Sequence, residues 1–177
     1  MVPPPEIRSA LRRFRRRRVR RWGAQRAALA VPIVSTCDGL AVLLTRRVDG
    51  LTVRAGQLAL PGQWARRWES APAAARGQLA DEFGIHLPPE AVLGLLDDYP
   101  VDPGDDFRTR APQVITPVVV WAGEYSTTAG VIVVPLADLD AEPVFVSSAH
   151  AERPEIRLPL QGEWLHAPAA AVLHQFR

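Results

Sequence analysis

The chain has 177 residues, 47% of them apolar, which is enough for a hydrophobic core and too apolar for disorder throughout. A formal net charge of +2 hides an uneven split: all 21 basic residues are arginines, and ten of them fall within residues 1–26 beside one acid, Glu6. The rest carries 11 arginines against 18 acids, a balance of −7, which argues against a body built as a dedicated nucleic-acid-binding fold.

No apolar run approaches the ~18 residues that a membrane-spanning helix needs, and no apolar core of a secretory signal follows the first arginines. The single cysteine, Cys37, has no partner for an intramolecular disulfide and points to a reducing, cytoplasmic setting. It reads as a small apolar filler near a strand end.

In chain order, "MVPPP" is a flexible start. "EIRSALRRFRRRRVRRW" follows, with Ile7, Leu11 and Phe14 on one helical face and Val19 and Trp22 fitting it loosely. Two readings stay open. The segment is a helix that docks by its apolar side, or an arm that binds nucleic acid (RNA), anionic lipid or an acidic protein partner. "AALAVPIVST", "CDG" and "LAVLLTRR" predict a strand, a turn and a strand, hence a hairpin. "VDGLTVRAGQLALPGQ" is rich in loop signals. Residues 71–83 predict a helix, with Pro72 in its first turn and Gly84 as its stop. "AVLGLLDDYPV", "QVITPVVVWAG", "GVIVVPLADL" and "PVFVSS" predict further strands, the third leading into a short helix. "IRLPLQGEWLHAPAAAVLHQF" ends in a helix led by Pro168. Mixed strands and a few helices, without repeats or a low-complexity linker, predict an α+β or α/β sandwich.

Within residues 71–83, Gln78, Asp81 and Glu82 stand at i, i+3 and i+4, so they share a helical face. The surroundings of this helix carry a resemblance. "LLTRRVDGLTVRAGQLALPG" resembles the signature of coenzyme A-type Nudix pyrophosphohydrolases, with Leu43, Leu44, Thr45, Arg47, Leu51, Gly56, Gln57, Pro61 and Gly62 in register. "LLDDYP", "VITPVVV", "VPLADL" and "LPLQGEWLHAPAAAVL" resemble later segments of the same family, in the same order. The resemblance spans about residues 29–175. It implies a Nudix-type α/β/α sandwich with a mixed central sheet over residues 27–177, preceded by an Arg-rich N-terminal arm or helix at 1–26.

The same resemblance implies a pyrophosphatase that uses Mg2+ or Mn2+ and acts on a nucleotide-like small molecule of the coenzyme A class. The family's catalytic box, anchored on Gly84 and Ile85, maps Glu69, Leu79 and Glu82 onto conserved types and Asp81 onto a shortened acid. It maps the box glycine onto Gln63, the arginine onto Gly77 and the glutamate that follows the arginine onto Gln78, ahead of the paired acids at Asp81 and Glu82. The implied catalytic residues are Gln78 and Glu82; the implied metal ligands are Asp81, Glu82 and Glu69. Arg47, Arg54 and Gln57 are the implied substrate-binding residues.

Divalent cations neutralise the phosphate charge and activate water for pyrophosphate cleavage, and they want carboxylate oxygens. Gln78 brings no charge and is no general base, and Gly77 removes the arginine that organises the acids. Asp97, Asp98, Asp105 and Asp106 are candidates to compensate. The expectation is therefore a Nudix hydrolase with a degenerate metal site and impaired catalysis. The alternative is a non-catalytic Nudix-fold protein, a pseudoenzyme, that binds a nucleotide-like ligand, RNA or a protein. Trp64 and Trp68, flanking Arg66 and Arg67 before the helix, form a loop that would stack on a base or contact a protein, or fold onto the domain. The tryptophans otherwise read as core or interface residues, and His86 as exposed.

Overall fold

The computed structural model describes residues 2–47, 56–101, 111–126, 130–147 and 154–177. In chain order its elements are α1 (Pro5–Arg13), β1 (Gln25–Thr36), β2 (Gly39–Arg46), β3 (Leu58–Ala59), β4 (Gly62–Trp64), α2 (Ala71–Phe83), β5 (Val92–Leu95), β6 (Tyr99–Val101), β7 (Gln113–Glu124), β8 (Ile132–Pro135), β9 (Val144–Val146), β10 (Glu155–Leu160), β11 (Glu163–His166) and α3 (Ala169–Phe176). Two short 3₁₀ turns, Pro89–Ala91 and Leu136–Asp140, complete the set. No helix among the described residues is long and apolar enough to cross a membrane.

The chain forms two compact units. One takes in the residues up to Ile33 and Pro61–Gly123; the other takes in Val34–Leu60 and Glu124–Arg177. In the first, β7 lies between β1 and β5, β6 also pairs with β7, and β4 pairs antiparallel with β1. The core is made of small and branched side chains: Ala28 and Ala30 of β1, Ala74, Ala75 and Leu79 of α2, and Val118 and Val120 of β7. Alanines at the contact let the helix backbone lie close to the sheet, and burying these apolar groups is the main favourable term. Gly62 is required for a similar reason. A Cβ there would come within 2.7 Å of Leu29 Cδ1 and 3.0 Å of the Ala28 carbonyl oxygen, so only glycine lets β4 approach β1.

The basic N-terminal segment belongs to this unit. α1 covers the expected start and rests Leu11 on Gly94 of β5, where an added Cβ would lie 3.0 Å from Leu11 Cβ. From Phe14 to Arg21 the chain leaves the helix and runs without regular secondary structure, against the helical fit of Val19 and Trp22. Two acids after β5 hold it there. Arg17 N–H donates to Asp97 Oδ1 at 2.7 Å, Val19 N–H donates to Asp98 Oδ2 at 2.9 Å, and Asp98 N–H returns a bond to the Arg17 carbonyl at 3.0 Å. The Arg16 guanidinium and the Thr116 hydroxyl both donate to Asp98 Oδ1.

In the second unit, β2 pairs antiparallel with β3 and with β8, and β9, β10 and β11 form an antiparallel three-stranded sheet on which α3 packs. Leu158, Leu160 and Leu165 of that sheet and Ala170 and Leu173 of α3 are buried. Two expectations are corrected here. Cys37 is exposed in the β1–β2 turn rather than filling a core position, because the turn at Cys37–Asp38 projects both side chains outward. The core reading of the tryptophans holds for Trp121, which is buried, and not for Trp22 and Trp164, which are exposed like Trp64 and Trp68.

Candidate active site

α2 forms because its ends are specified. The Ser70 hydroxyl accepts from Ala73 N–H at 3.3 Å, Pro72 occupies the first turn, and Gly84 adopts the left-handed conformation, φ 68° and ψ 16°. Gly84 N–H donates to the Ala80 carbonyl and Ile85 N–H to the Leu79 carbonyl, each at 3.1 Å, which satisfies the last turn. The helix so fixed buries Ala74, Ala75 and Leu79, and this orients the remaining faces.

Gln78 and Glu82 lie beside the buried stripe, both half-buried, and Gln78 Nε2 donates to Glu82 Oε2 at 2.7 Å. A carboxylate only accepts, so the glutamine must turn its NH2 group toward Glu82. Asp81 is exposed, about 100° around the helix from Glu82. Glu69 precedes the helix and closes a tight turn, its carboxylate accepting from Arg66 N–H at 2.8 Å. Among the described residues, no three His, Cys, Asp or Glu side chains are grouped to hold a metal.

Gly77 and Gln63, which the resemblance marks as departures from the family's box, meet in space. Gln63 Nε2 donates to the Ala74 carbonyl at 2.7 Å, and a Cβ on residue 77 would lie 3.3 Å from that nitrogen. The side chain placed at the box-glycine position thus occupies room left at the box-arginine position. The sequence marked both as departures, but their coupling is visible only once β4 and α2 are packed. Arg76 is engaged elsewhere: its Nη1 donates to the Leu87 carbonyl at 2.8 Å and ties down the chain after the helix. His86 is exposed as expected. Asp97 and Asp98 hold the N-terminal segment. Asp105, Asp106 and Arg54 lie outside the described residues.

Arg47 and Gln57 are brought together in the second unit, where Arg47 N–H donates to the Gln57 carbonyl at 3.0 Å and Gly56 N–H to the Arg47 carbonyl at 2.9 Å. Beside them Arg46 pairs with Glu163, both guanidinium nitrogens meeting the carboxylate. That pair raises Arg46 and lowers Glu163 from their ordinary pKa values, chiefly through the hydrogen bonds.

The fold is of the Nudix type. A MutT/nudix family protein from Enterococcus faecalis matches with a TM-score of 0.51 at 18% identity, over 81% of this chain and 51% of that one. The present chain therefore spans about half the length of that protein. The NUDIX domain of Shewanella oneidensis NrtR, solved with ADP ribose, matches with a TM-score of 0.45 at 20% identity, over 66% of this chain and 75% of that one. RenU, a Nudix hydrolase from M. Smegmatis, matches with a TM-score of 0.44 at 25% identity, over 68% of this chain and 76% of that one. No family model and no curated protein matches the chain.

Proposed function

We propose that this is a Nudix-superfamily protein of the coenzyme A pyrophosphatase type in which pyrophosphate hydrolysis is strongly impaired, and which binds a nucleotide-like diphosphate derivative. The observation that carries the reading is the bond from Gln78 to Glu82. In an active box, two acids at these positions would repel each other and be neutralised by Mg2+ or Mn2+. Here an uncharged amide replaces one acid and donates a hydrogen bond to the other, and a cation would have to displace its NH2 group. Asp81 is a shortened and exposed acid, Glu69 is engaged by the Arg66 N–H, and no three His, Cys, Asp or Glu side chains gather among the described residues, so the donor set is poorer than that of the family's divalent site. Arg47 and Gln57, in the second unit, keep the residue types that the resemblance assigns to substrate, and a guanidinium suits a phosphate.

The test is hydrolysis of coenzyme A and of ADP-ribose with Mg2+ or Mn2+. The expected result is no turnover above background for the natural chain. Activity should appear in a variant combining Gln63→Gly, Gly77→Arg and Gln78→Glu, which restores the box and vacates the room that the arginine needs. Metal-dependent turnover by the natural chain, abolished by Glu82→Gln, would overturn the proposal. Retained binding of the same ligands, measured by calorimetry and weakened by Arg47→Ala, is the expected companion result.

A further inference from the structure

Seven of the ten arginines in residues 1–26 are exposed: Arg12, Arg13, Arg15, Arg17, Arg18, Arg20 and Arg26. Four of them, Arg15, Arg17, Arg18 and Arg20, lie on the segment whose backbone is pinned by Asp97 and Asp98. The pinning holds the backbone through its own N–H groups and uses Arg16 as the inward cation. The guanidinium groups of Arg15, Arg17, Arg18 and Arg20 are therefore exposed on a fixed track, at reduced entropy cost to a ligand. The track ends at Trp22, which is fully solvent-exposed.

From Trp22 the chain turns into β1, and Ala65 N–H donates to the Arg26 carbonyl at 2.9 Å, which brings the loop after β4 alongside. That loop carries exposed Arg66 and Arg67, and Trp68 is 90% exposed. Trp68 sits at φ 71°, a strained conformation for a bulky residue, with the Arg67 guanidinium carbon 5.3 Å from its ring centroid.

We infer that the pinned arginine segment and Trp22, continued toward the Trp68 loop, form a binding surface for single-stranded nucleic acid. Arginines along an extended track match a phosphate backbone, and an open tryptophan ring offers a face to a base. Bases are available for such stacking only where they are unpaired, and the segment presents no helix to enter a groove of a duplex. A membrane surface fits less well, because the residues flanking Trp22 are Arg20, Arg21, Gly23 and Ala24, with no large aliphatic neighbour to insert beside it. This inference does not rest on the state of the α2 site.

The experiment is titration of a labelled oligouridylate with the full chain at salt concentrations from about 50 to 200 mM. Four phosphate contacts predict a slope of log K against log salt of about −3. Arg18→Ala with Arg20→Ala should flatten the slope by about 1.4. Trp22→Ala should weaken binding about 5- to 150-fold at unchanged slope, and Trp22→Phe should recover most of it. These side chains are exposed, and circular dichroism should report an unchanged fold. The inference is overturned by any of three results: no binding at about 50 mM salt, affinity indifferent to Trp22→Ala, or capture by phosphatidylserine vesicles without oligouridylate binding.

Discussion

Two acidic side chains of the first unit, Asp98 and Glu82, have met opposite partners. Asp98, with a side chain 1% exposed, accepts from a guanidinium, a hydroxyl and a backbone N–H, and the result is a chain segment fixed in place. Glu82, half-buried on a helix, accepts from the amide one turn earlier. The first arrangement is a buried ion pair with its remaining lone pairs satisfied, which is strongly destabilising to break from one side. The second is a local contact within one helix, of the kind worth only ~0.2–0.5 kcal/mol. The lesson is that an acid's sequence context does not fix its role. Asp98 organises the fold, whereas Glu82 is spare in stability terms.

The contrast breaks most visibly by removing each acid. Asp98→Ala should destabilise the protein by about 3–5 kcal/mol in urea unfolding, since Arg16 and Thr116 lose their partner together. Hydrogen exchange at the Arg17 and Val19 amides should speed up in the same variant. Glu82→Gln should shift the urea midpoint by less than about 0.5 kcal/mol equivalent, and an effect as large as that of Asp98→Ala would erase the distinction.

Acid sharpens the same comparison. Burial would raise the Asp98 pKa, but hydrogen bonds from Arg16, Thr116 and Val19 and the Arg16 charge outweigh it and hold it below 3.8. A carboxylate depressed on folding lends stability that is complete above its unfolded value and lost as pH falls through the folded one. Unfolding free energy should therefore fall below about pH 4, and Asp98→Asn should lose that part of the pH dependence.

A smaller effect tests the joint between β4 and α2. Gly77→Ala improves helix propensity by about 1 kcal/mol, but in the natural chain the new methyl meets Gln63 Nε2 at 3.3 Å. The full gain should appear only together with Gln63→Ala, giving a coupling of about 0.5–1 kcal/mol in a double-mutant cycle by thermal unfolding. Additive effects would mean that the two positions are independent. The smallest change belongs to the exposed pair of the second unit. Arg46→Ala should leave the melting temperature within error at physiological salt, because both side chains are about half exposed, 48% and 47%, and screened.

Much of the architecture was legible in the residues. Ser70, Pro72 and Gly84 delimit α2, and the runs "AALAVPIVST" and "QVITPVVVWAG" lie within β1 and β7, because caps and apolar runs act through near neighbours. The β10–β11 hairpin was not legible. Its turn is Gln161–Gly162, with both residues at positive φ, 50° and 83°, and glutamine there lacks the Asn-Gly or Asp-Gly signal. "AVLGLLDDYPV", which reads as one strand, is interrupted between β5 and β6, where Asp97 and Asp98 turn to the N-terminal segment.

The resemblance carried by its motifs implied the Nudix-type fold, and the sequence by itself determined the basic N-terminus and the uncharged amide at position 78. The last two are properties of residue type along the chain. Tertiary structure decided which acid meets which partner: Asp98 with Arg16, 82 positions away, and Gln63 with the helix beside Gly77. Such pairings depend on elements distant in sequence packing to within hydrogen-bonding distance, and no local pattern encodes that distance.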